Sequence, residues 1–416
     1  MLSEGAMTPR LLAALVVAAA CAAQGLAAGS AVTIEKGGHL LLDGKRFFPL
    51  GLYSKPQGAD PYGQMAQAGF NLVRAGLEPA ELDAAARAGI YCWIPLGGVL
   101  DLSSDREARE AKIREAVAGV KDHPALLMYE SVDEPAWTWK DPGKAAVAPE
   151  GLALGYRLLK ELDPNHPVTL NHAPRNTVAT LRKYNAACDA VSVDIYPIIP
   201  PDTLHIYGLT ADRRHGDLRN QTPSCVGEYV DKMRQVAGAE RPVWMVLQGF
   251  AWADLDPETK IKSSVVYPTY YKTRYMAWQS VIHGCNGIIY WGTHTLEQPS
   301  DCWEGITRTV RELADLHDVL VADEVPMRLE KEYDELGFSI DAGVETSVRD
   351  AGGFRYLLAA NSSIDAAGVT FRGLQGLPDG EVEVVGEGRA VVVTGSSFHD
   401  TYDGLAVHIY RGRKAR

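Results

Sequence analysis

Cysteine is scarce in this sequence and is not arranged in any pairing motif. Six cysteines occur in 416 residues, and none stands in a Cys-x-x-Cys spacing. Because such spacings bring two thiolates to one metal or redox site, we expect neither a zinc site nor a disulfide framework. Most of the cysteines are interpreted as buried core thiols, although a pair among Cys188, Cys225 and Cys302 could oxidise in an exported protein.

Positive charge is also in short supply. Lys and Arg number 41 against 53 Asp and Glu, which gives a formal net charge of −12. This charge repels phosphate backbones and anionic lipid, so we expect no nucleic-acid partner and no binding to a membrane surface. A neutral or weakly charged ligand fits this composition better.

Several catalytic motifs are missing as well. No G-x-G-x-x-G or phosphate-binding loop follows the first predicted strand, and no G-x-S-x-G, H-E-x-x-H or Cys-His pattern occurs. Their absence disfavours nucleotide cofactors, serine hydrolases and metalloproteases. We therefore expect neither a cofactor nor a metal ion.

The only long apolar run lies near the N-terminus. Residues 11–23 form 13 apolar positions after Arg10, a segment too short to span a bilayer and typical of a signal peptide. Cleavage near Ala27 or Ala28 would remove residues 1–28, with Met7 as the expected initiator. This predicts export to the periplasm or the extracellular space. A lipid anchor at Cys21 is disfavoured because the usual leucine three residues upstream is missing.

From residue 47 onward, short apolar runs alternate with amphipathic helical patterns. Eight such pairs occur, and they predict a closed (β/α)8 barrel over residues 47–321. The predicted strands begin at Phe47, Asn71, Ile90, Ala125, Pro167, Ala190, Pro242 and Gly287.

Two further segments flank the predicted barrel. Residues 29–46 contain Gly-Gly and Asp-Gly turns, which indicate a hairpin that covers the barrel bottom. Residues 322–416 consist of short alternating runs separated by turn residues, which indicates an accessory β-sandwich. Because a barrel closes its own sheet, truncation near residue 322 should leave it soluble unless the interface is large and apolar.

Polar and aromatic residues stand where the predicted strands end. The carboxyl ends of barrel strands form the active-site face, and this mixture suits a sugar, whose hydroxyls need fixed polar partners and whose ring faces stack on aromatic planes. We therefore predict a carbohydrate substrate. The residues predicted to bind it are Tyr53, Arg74, Trp137, His172, Tyr196, Gln248, Trp252 and Trp291.

The segment YESVDEP carries the strongest local pattern. It places Glu134 at the predicted end of the fourth strand, and Pro135 then prevents the strand from continuing. A glutamate among aromatic residues can keep its proton near neutral pH and deliver it to a glycosidic oxygen. The alternative is that Glu134 only forms an ion pair, for example with Arg74.

With these residues the chain resembles the clan A glycoside hydrolases, retaining barrels in which an Asn-Glu-Pro-like motif ends the fourth strand. Further matches are FFPLGLY after an Asp-Gly-Lys turn, Arg74 on the second strand, Tyr196 on the sixth, Trp291 on the eighth, and the closing FHDTYDGLAVHIY. The resemblance covers residues 47 to about 320. It implies hydrolysis of glycosidic bonds with Glu134 as the acid/base.

Two positions depart from that family pattern. Asp133 stands where the family has asparagine, and Gln248 stands where the family has its nucleophilic glutamate. An amide cannot form a glycosyl ester, so the usual retaining mechanism requires another carboxylate.

Three interpretations of these departures stay open. Asp194 or Asp133 could supply the second carboxylate of an inverting enzyme. Alternatively, the Asp133-Glu134 pair resembles hexosaminidases in which the substrate's own 2-acetamido group is the nucleophile. In the third interpretation, the barrel binds glycans without cutting them, and Gln248 is a rim residue.

Other polar residues at the strand ends have structural alternatives. Asp194 could cap or turn the backbone where its strand ends. His172 and His294 could hold a metal together with Asp194, but their spacing favours histidines of the core or the rim.

Overall fold

The computed structural model describes residues 31–136, 145–200, 220–255, 265–335 and 343–414. The predicted leader lies outside these residues. Within the described ranges, no helix has both the length and the apolar character needed to cross a membrane. The five cysteines within the described ranges are buried and free, as expected for core thiols.

The described residues begin with a small antiparallel sheet of three strands, β1 (Val32–Ile34), β2 (Leu40–Leu42) and β3 (Lys45–Phe47). The β1–β2 turn needs Gly38, because its φ is +85° and a Cβ there would lie 2.8 Å from the carbonyl oxygen of Arg241. Val32 and Leu40 belong to the same apolar cluster as the barrel interior. The sheet therefore fills one end of the barrel.

Eight parallel strands form the closed barrel, in which the last strand pairs with the first through Ile288 and Leu50. This confirms the predicted (β/α)8 fold. Inward side chains fill the interior, among them Leu72, Met128 and Trp244. The strands are β4 (Leu50–Leu52), β5 (Leu72–Arg74), β6 (Tyr91–Pro95), β7 (Leu126–Glu130), β8 (Val168–His172), β9 (Ala190–Ile195), β10 (Val243–Gln248) and β11 (Gly287–Trp291).

Helices surround the barrel and begin where the sequence supplies start signals. Proline occupies the first turn of three of them, one of which is also capped by the Asp60 side chain, and the side chains of Thr269 and Ser300 cap two more. The helices are α1 (Pro61–Ala68), α2 (Pro79–Arg87), α3 (Arg106–Val120), α4 (Pro149–Leu162), α5 (Val178–Leu181), α6 (Cys225–Ala237), α7 (Tyr270–Ile282), α8 (Asp301–Asp315) and α9 (His317–Leu320).

Two antiparallel sheets follow the barrel and enclose a separate core that includes Leu357, Phe371 and Tyr410. This confirms the C-terminal β-sandwich of the predicted fold. Their strands are β12 (Glu330–Tyr333), β13 (Val344–Ala351), β14 (Phe354–Asn361), β15 (Ala367–Arg372), β16 (Gly380–Val384), β17 (Arg389–Val393), β18 (Ser397–Tyr402) and β19 (Val407–Arg413). One sheet has the order β12-β15-β18 and the other β13-β14-β19-β16-β17.

The five-stranded sheet has a second apolar face, which packs on the barrel. Side chains alternate along β14, so Leu357 points into the sandwich core whereas Tyr356 and Leu358 join the main barrel cluster. Val407 and Ile409 of β19 join that cluster too, and it also contains Trp278 of α7. The sandwich therefore has its own core between its sheets and shares a second hydrophobic core with the barrel through the outer face of this sheet.

A buried arginine reinforces this contact. Arg349 of β13 is 5% exposed, and its guanidinium donates to the carbonyls of Val281, Val319, Leu320 and Ala322 at distances of 2.8 to 3.3 Å. These carbonyls lie at the C-terminal ends of α7 and α9, where a positive charge is favourable. Arg349 thus ties the sandwich to two barrel helices.

Candidate functional site

One layer of side chains closes the barrel interior at the carboxyl ends of the strands. Because side chains alternate along a strand, the last inward position of each strand can be identified from the interior cluster below it. Most members of this layer are polar or aromatic, unlike the apolar layers beneath. The layer consists of Tyr53, Arg74, Trp93, Glu130, Asn171, Asp194, Gln248 and Trp291.

Glu130 ends β7 and forms one of two carboxyl networks. It accepts hydrogen bonds from Arg74 Nε at 2.8 Å and from the Tyr53 hydroxyl at 3.0 Å, and it is 3% exposed. Burial raises its pKa, and Arg74 opposes the shift. The sequence interpretation did not identify Glu130, although a glutamate at the inward end of the apolar run LLMY was a usable signal.

Glu134 lies beyond the strand end rather than on it, which corrects the sequence assignment. β7 ends four residues earlier, and Glu134 adopts a φ of +46°, in the left-handed region. That conformation costs a non-glycine residue about 1–2 kcal/mol. It is held by a hydrogen bond of 3.0 Å from the Glu134 amide to the carbonyl of Asn171. The half-buried side chain thus starts from a fixed backbone position.

Asn171 connects the remaining carboxyl groups and was not identified from the sequence. Its Nδ2 donates to Asp133 Oδ1 and to Asp194 Oδ1, each at 3.0 Å, and its Oδ1 accepts from the Ser192 hydroxyl at 2.9 Å. Asp133 is exposed whereas Asp194 is 8% exposed. One amide therefore orients an open carboxylate and a buried carboxyl group together.

Asp194 has the most strongly altered titration in this network. Burial raises its pKa well above the usual value, and the charges of Glu134 and Asp133 raise it further, while the Asn171 hydrogen bond opposes the shift. Asp194 therefore keeps its proton at pH values where an ordinary aspartate is ionised. Carboxyl groups whose pKa values are pushed apart are typical of acid–base sites.

Aromatic side chains form the wall next to these carboxyl groups. Tyr196 and Trp291 stack with ring centroids 5.5 Å apart, and the Phe250 ring meets both edge-on at 5.0 Å. The Trp252 indole donates to the Tyr196 carbonyl at 3.2 Å. Burial and then the charge of Asp194, two residues earlier in the chain, raise the pKa of Tyr196. Planar faces of this kind suit the faces of sugar rings.

The predicted role of Gln248 in substrate binding is wrong. Its side chain is fully buried, and its Nε2 donates to the carbonyls of Ile198 and Phe250 at 3.1 and 3.0 Å. Its Oε1 accepts from the Ile198 amide at 2.9 Å. Gln248 occupies the inward layer, but the backbone of two loops covers it. It holds Phe250 in place instead of contacting a ligand.

The predicted role of His172 in substrate binding is wrong for a different reason. His172 follows Leu170 on the outer face of β8, is fully buried, and meets the Tyr184 ring edge-on at 5.9 Å. Burial lowers its pKa to about 3, so the ring is neutral.

The predicted contact of Trp137 with the substrate lies outside the described residues. Across the described ranges, no group of three or more His, Cys, Asp or Glu residues could hold a metal ion.

Comparison with known proteins identifies the fold and no closer relative. No family model matches the sequence, and no curated protein matches it. A catalytic mutant of a GH42 β-galactosidase from G. stearothermophilus has a TM-score of 0.55 at 12% identity, over 88% of this chain and 98% of that one. An α-amylase from Geobacillus thermoleovorans, complexed with acarbose, has a TM-score of 0.55 at 9% identity, over 89% and 99% of the two chains.

A noncanonic maltogenic α-amylase from Thermotoga neapolitana is similar at a TM-score of 0.53 and 8% identity, over 88% of this chain and 99% of that one. All three are glycoside hydrolases. The fold of this chain is therefore a barrel fold that glycoside hydrolases use. Identities this low show the shared fold alone.

The pKa shift of Asp194 predicts a gain in stability when the carboxyl group is removed. A raised native pKa contributes stability that is full below the unfolded pKa, about 3.9, and is lost as pH rises toward the native pKa. We expect Asp194→Asn to raise the melting temperature near pH 7.5 by roughly 2–4 °C per kcal/mol recovered. Asparagine can still accept the hydrogen bond from Asn171. Calorimetry from pH 4 to 8 measures the difference.

The control for this measurement is Asp318→Asn, because the Asp318 side chain is 89% exposed. It should change the melting temperature little at any pH. If Asp194→Asn instead destabilises the protein at pH 7.5, Asp194 is ionised in the native state and the assigned proton is absent.

Proposed function

We propose that this protein is an exported glycoside hydrolase with Glu134 as its general acid/base. The observation that carries the proposal is the adjacent Asp133-Glu134 pair, in which Asn171 orients the Asp133 carboxylate and fixes the Glu134 backbone, at a mouth that also holds the stacked Tyr196 and Trp291. Hydrolysis requires a proton on the leaving oxygen and negative charge near the developing oxocarbenium ion. The apolar leader run supports export.

The carboxyl networks favour one mechanism over the others. A retaining mechanism through the seventh strand lacks a nucleophile, because Gln248 is an amide and is covered. A protonated Asp194 is a poor base for activating water, which disfavours inversion through this residue. Glu130 is already engaged by Arg74 and Tyr53.

Substrate assistance uses the groups that remain. The 2-acetamido oxygen of the substrate attacks the anomeric carbon while Glu134 protonates the leaving oxygen, and the product is an oxazolinium-like cation. Asp133 is exposed and oriented by Asn171, so its carboxylate can bind the acetamido N–H and stabilise that cation. Glu134 then takes a proton from the water that opens the ring. We therefore propose an N-acetylhexosaminidase as the specific form of this activity.

Aryl glycosides with and without a 2-acetamido group test this proposal. Asp133→Asn should lower turnover of the acetamido substrates about a hundredfold, because one preorganised electrostatic partner of the cation is lost. A stable thiazoline analogue of the cyclic intermediate should inhibit the wild-type enzyme competitively and more tightly than the substrate binds.

Other outcomes identify the alternatives. If Asp133→Asn leaves turnover of acetamido substrates unchanged, substrate assistance fails. Turnover of plain glycosides with inversion, and without thiazoline inhibition, would indicate the two-carboxylate mechanism. Glycan binding without turnover across the panel would indicate a pseudoenzyme. Asp318→Asn is again the matched control.

A further inference from the structure

A cavity of about 910 Å³ lies between the first turns of α7 and α8. Three tyrosines, Tyr267, Tyr270 and Tyr271, line it together with Asp254 and Arg308. We call this surface the tyrosine groove. It contains none of the residues assigned above to the mouth of the barrel, so its polar and aromatic lining requires a separate explanation.

Two neighbouring tyrosine rings line the groove, one supported by an arginine and the other exposed. The Arg308 guanidinium lies 3.9 Å from the centroid of the Tyr270 ring, and the Tyr271 ring lies 5.5 Å from that of Tyr270. Tyr271 is nevertheless 72% exposed, whereas most large aromatic side chains of the described residues are buried or half-buried. An exposed ring next to a supported ring provides a surface on which a sugar can stack.

A short turn joins the groove to the aromatic wall of the barrel mouth. Trp252, whose indole contacts the backbone of Tyr196, begins a short helical turn that ends at Asp254. Asp254 accepts hydrogen bonds from the Tyr267 hydroxyl at 3.1 Å and from the Thr295 hydroxyl at 3.3 Å. The turn Trp252–Asp254 thus has one end at the aromatic wall of the mouth and the other end in the tyrosine groove.

The charges of the lining side chains determine whether the tyrosine groove accepts neutral or anionic sugars. Besides Asp254, the carboxylates of Glu297, Asp301 and Glu304 line it, and Arg308 is the one cation among the lining residues that the structure describes. The N-termini of α7 and α8 are already capped by the side chains of Thr269 and Ser300. The negative excess repels uronates and sulfated sugars, whereas carboxylates accept hydrogen bonds from neutral hydroxyls.

We propose that the tyrosine groove is a distal binding site for the extended part of an uncharged oligosaccharide whose reacting sugar occupies the mouth. The inference rests on the proposed function and specifies its substrate: a glycan chain of several units rather than a single glycoside. Stacking on Tyr271 and Tyr270 supplies affinity, and the surrounding carboxylates exclude anionic chains.

Binding to the Glu134→Gln protein tests the groove without turnover. Isothermal titration with N-acetylchito- and cello-oligosaccharides, from monomer to hexamer, should show affinity rising with length for at least one series. Tyr271→Ala should weaken hexamer binding about three- to tenfold, the size expected for one aromatic contact. In the active protein, Tyr271→Ala should lower the ratio of hexamer to aryl-monoglycoside kcat/KM by a similar factor. Oligogalacturonides should not bind.

The matched control is Ile364→Ala, which shortens an apolar side chain that is 66% exposed on the sandwich. If Tyr271→Ala and Tyr270→Ala both leave the length dependence unchanged while aryl glycosides are still cleaved, the groove proposal is overturned and the proposed function stands. A wild-type protein that neither binds nor cleaves any glycan overturns both.

Discussion

Replacing Glu134 with glutamine is expected to lower kcat/KM for glycosides with poor leaving groups by about a thousandfold, within the usual range for loss of a general acid. Glutamine keeps the shape of the side chain and the backbone hydrogen bond to Asn171, so the fold should persist. Aryl leaving groups of low pKa need less protonation and should lose much less rate. Initial rates across a leaving-group series measure this dependence.

The neighbouring glutamate provides the control for this experiment. Glu130→Gln disturbs the buried contacts with Arg74 and Tyr53, so it should lower the melting temperature and slow all leaving groups alike. If Glu134→Gln also slows every substrate by the same factor, Glu134 does not deliver the proton.

Removal of the C-terminal sandwich after residue 322 is expected to give an insoluble protein. Truncation would expose the apolar face of α7 around Trp278 and remove Arg349 from the helix ends that it caps. A less drastic test is Leu358→Asp, which buries an unpaired charge against the barrel and should destabilise the protein by several kcal/mol. Denaturant unfolding of purified variants measures the change.

Val392→Asp is the control, because Val392 lies in the same sheet but is 64% exposed. It should unfold like the wild-type protein. A truncated barrel that remains soluble, with native circular dichroism and turnover, would show that the sandwich is dispensable for folding.

The fold could be predicted because the spacing of apolar residues along the sequence indicates which faces of a strand or helix are buried. Each barrel strand is an apolar run that is buried on both faces, and each helix carries one apolar stripe, so eight repeats were visible without knowledge of any contact. The additional strand β3 at the N-terminus was not predicted. It is short and carries Lys45 and Arg46, so its pattern does not stand out from a turn.

The site was harder to predict because it depends on which face each residue occupies. In β8 the sequence interpretation chose His172, the final residue, although alternation from Leu170 turns it outward and leaves Asn171 facing inward. The alternation of side chains along β10 directs Gln248 inward, which agreed with the predicted position of this residue at the barrel mouth. Its burial depends on backbone from the loop that carries Ile198, and no periodicity reports such a long-range contact.

The shared core also affects how the chain folds as it is made. Roughly 120 residues separate the last barrel strand from the end of β19, and a ribosome needs on the order of ten seconds to add them. During that time the barrel has all of its own strands, yet the face of α7 that receives Leu358 and Ile409 is uncovered. The nascent chain therefore exposes the apolar face of α7 until β19 has been made. We expect a chaperone that holds incompletely folded chains to bind to this face.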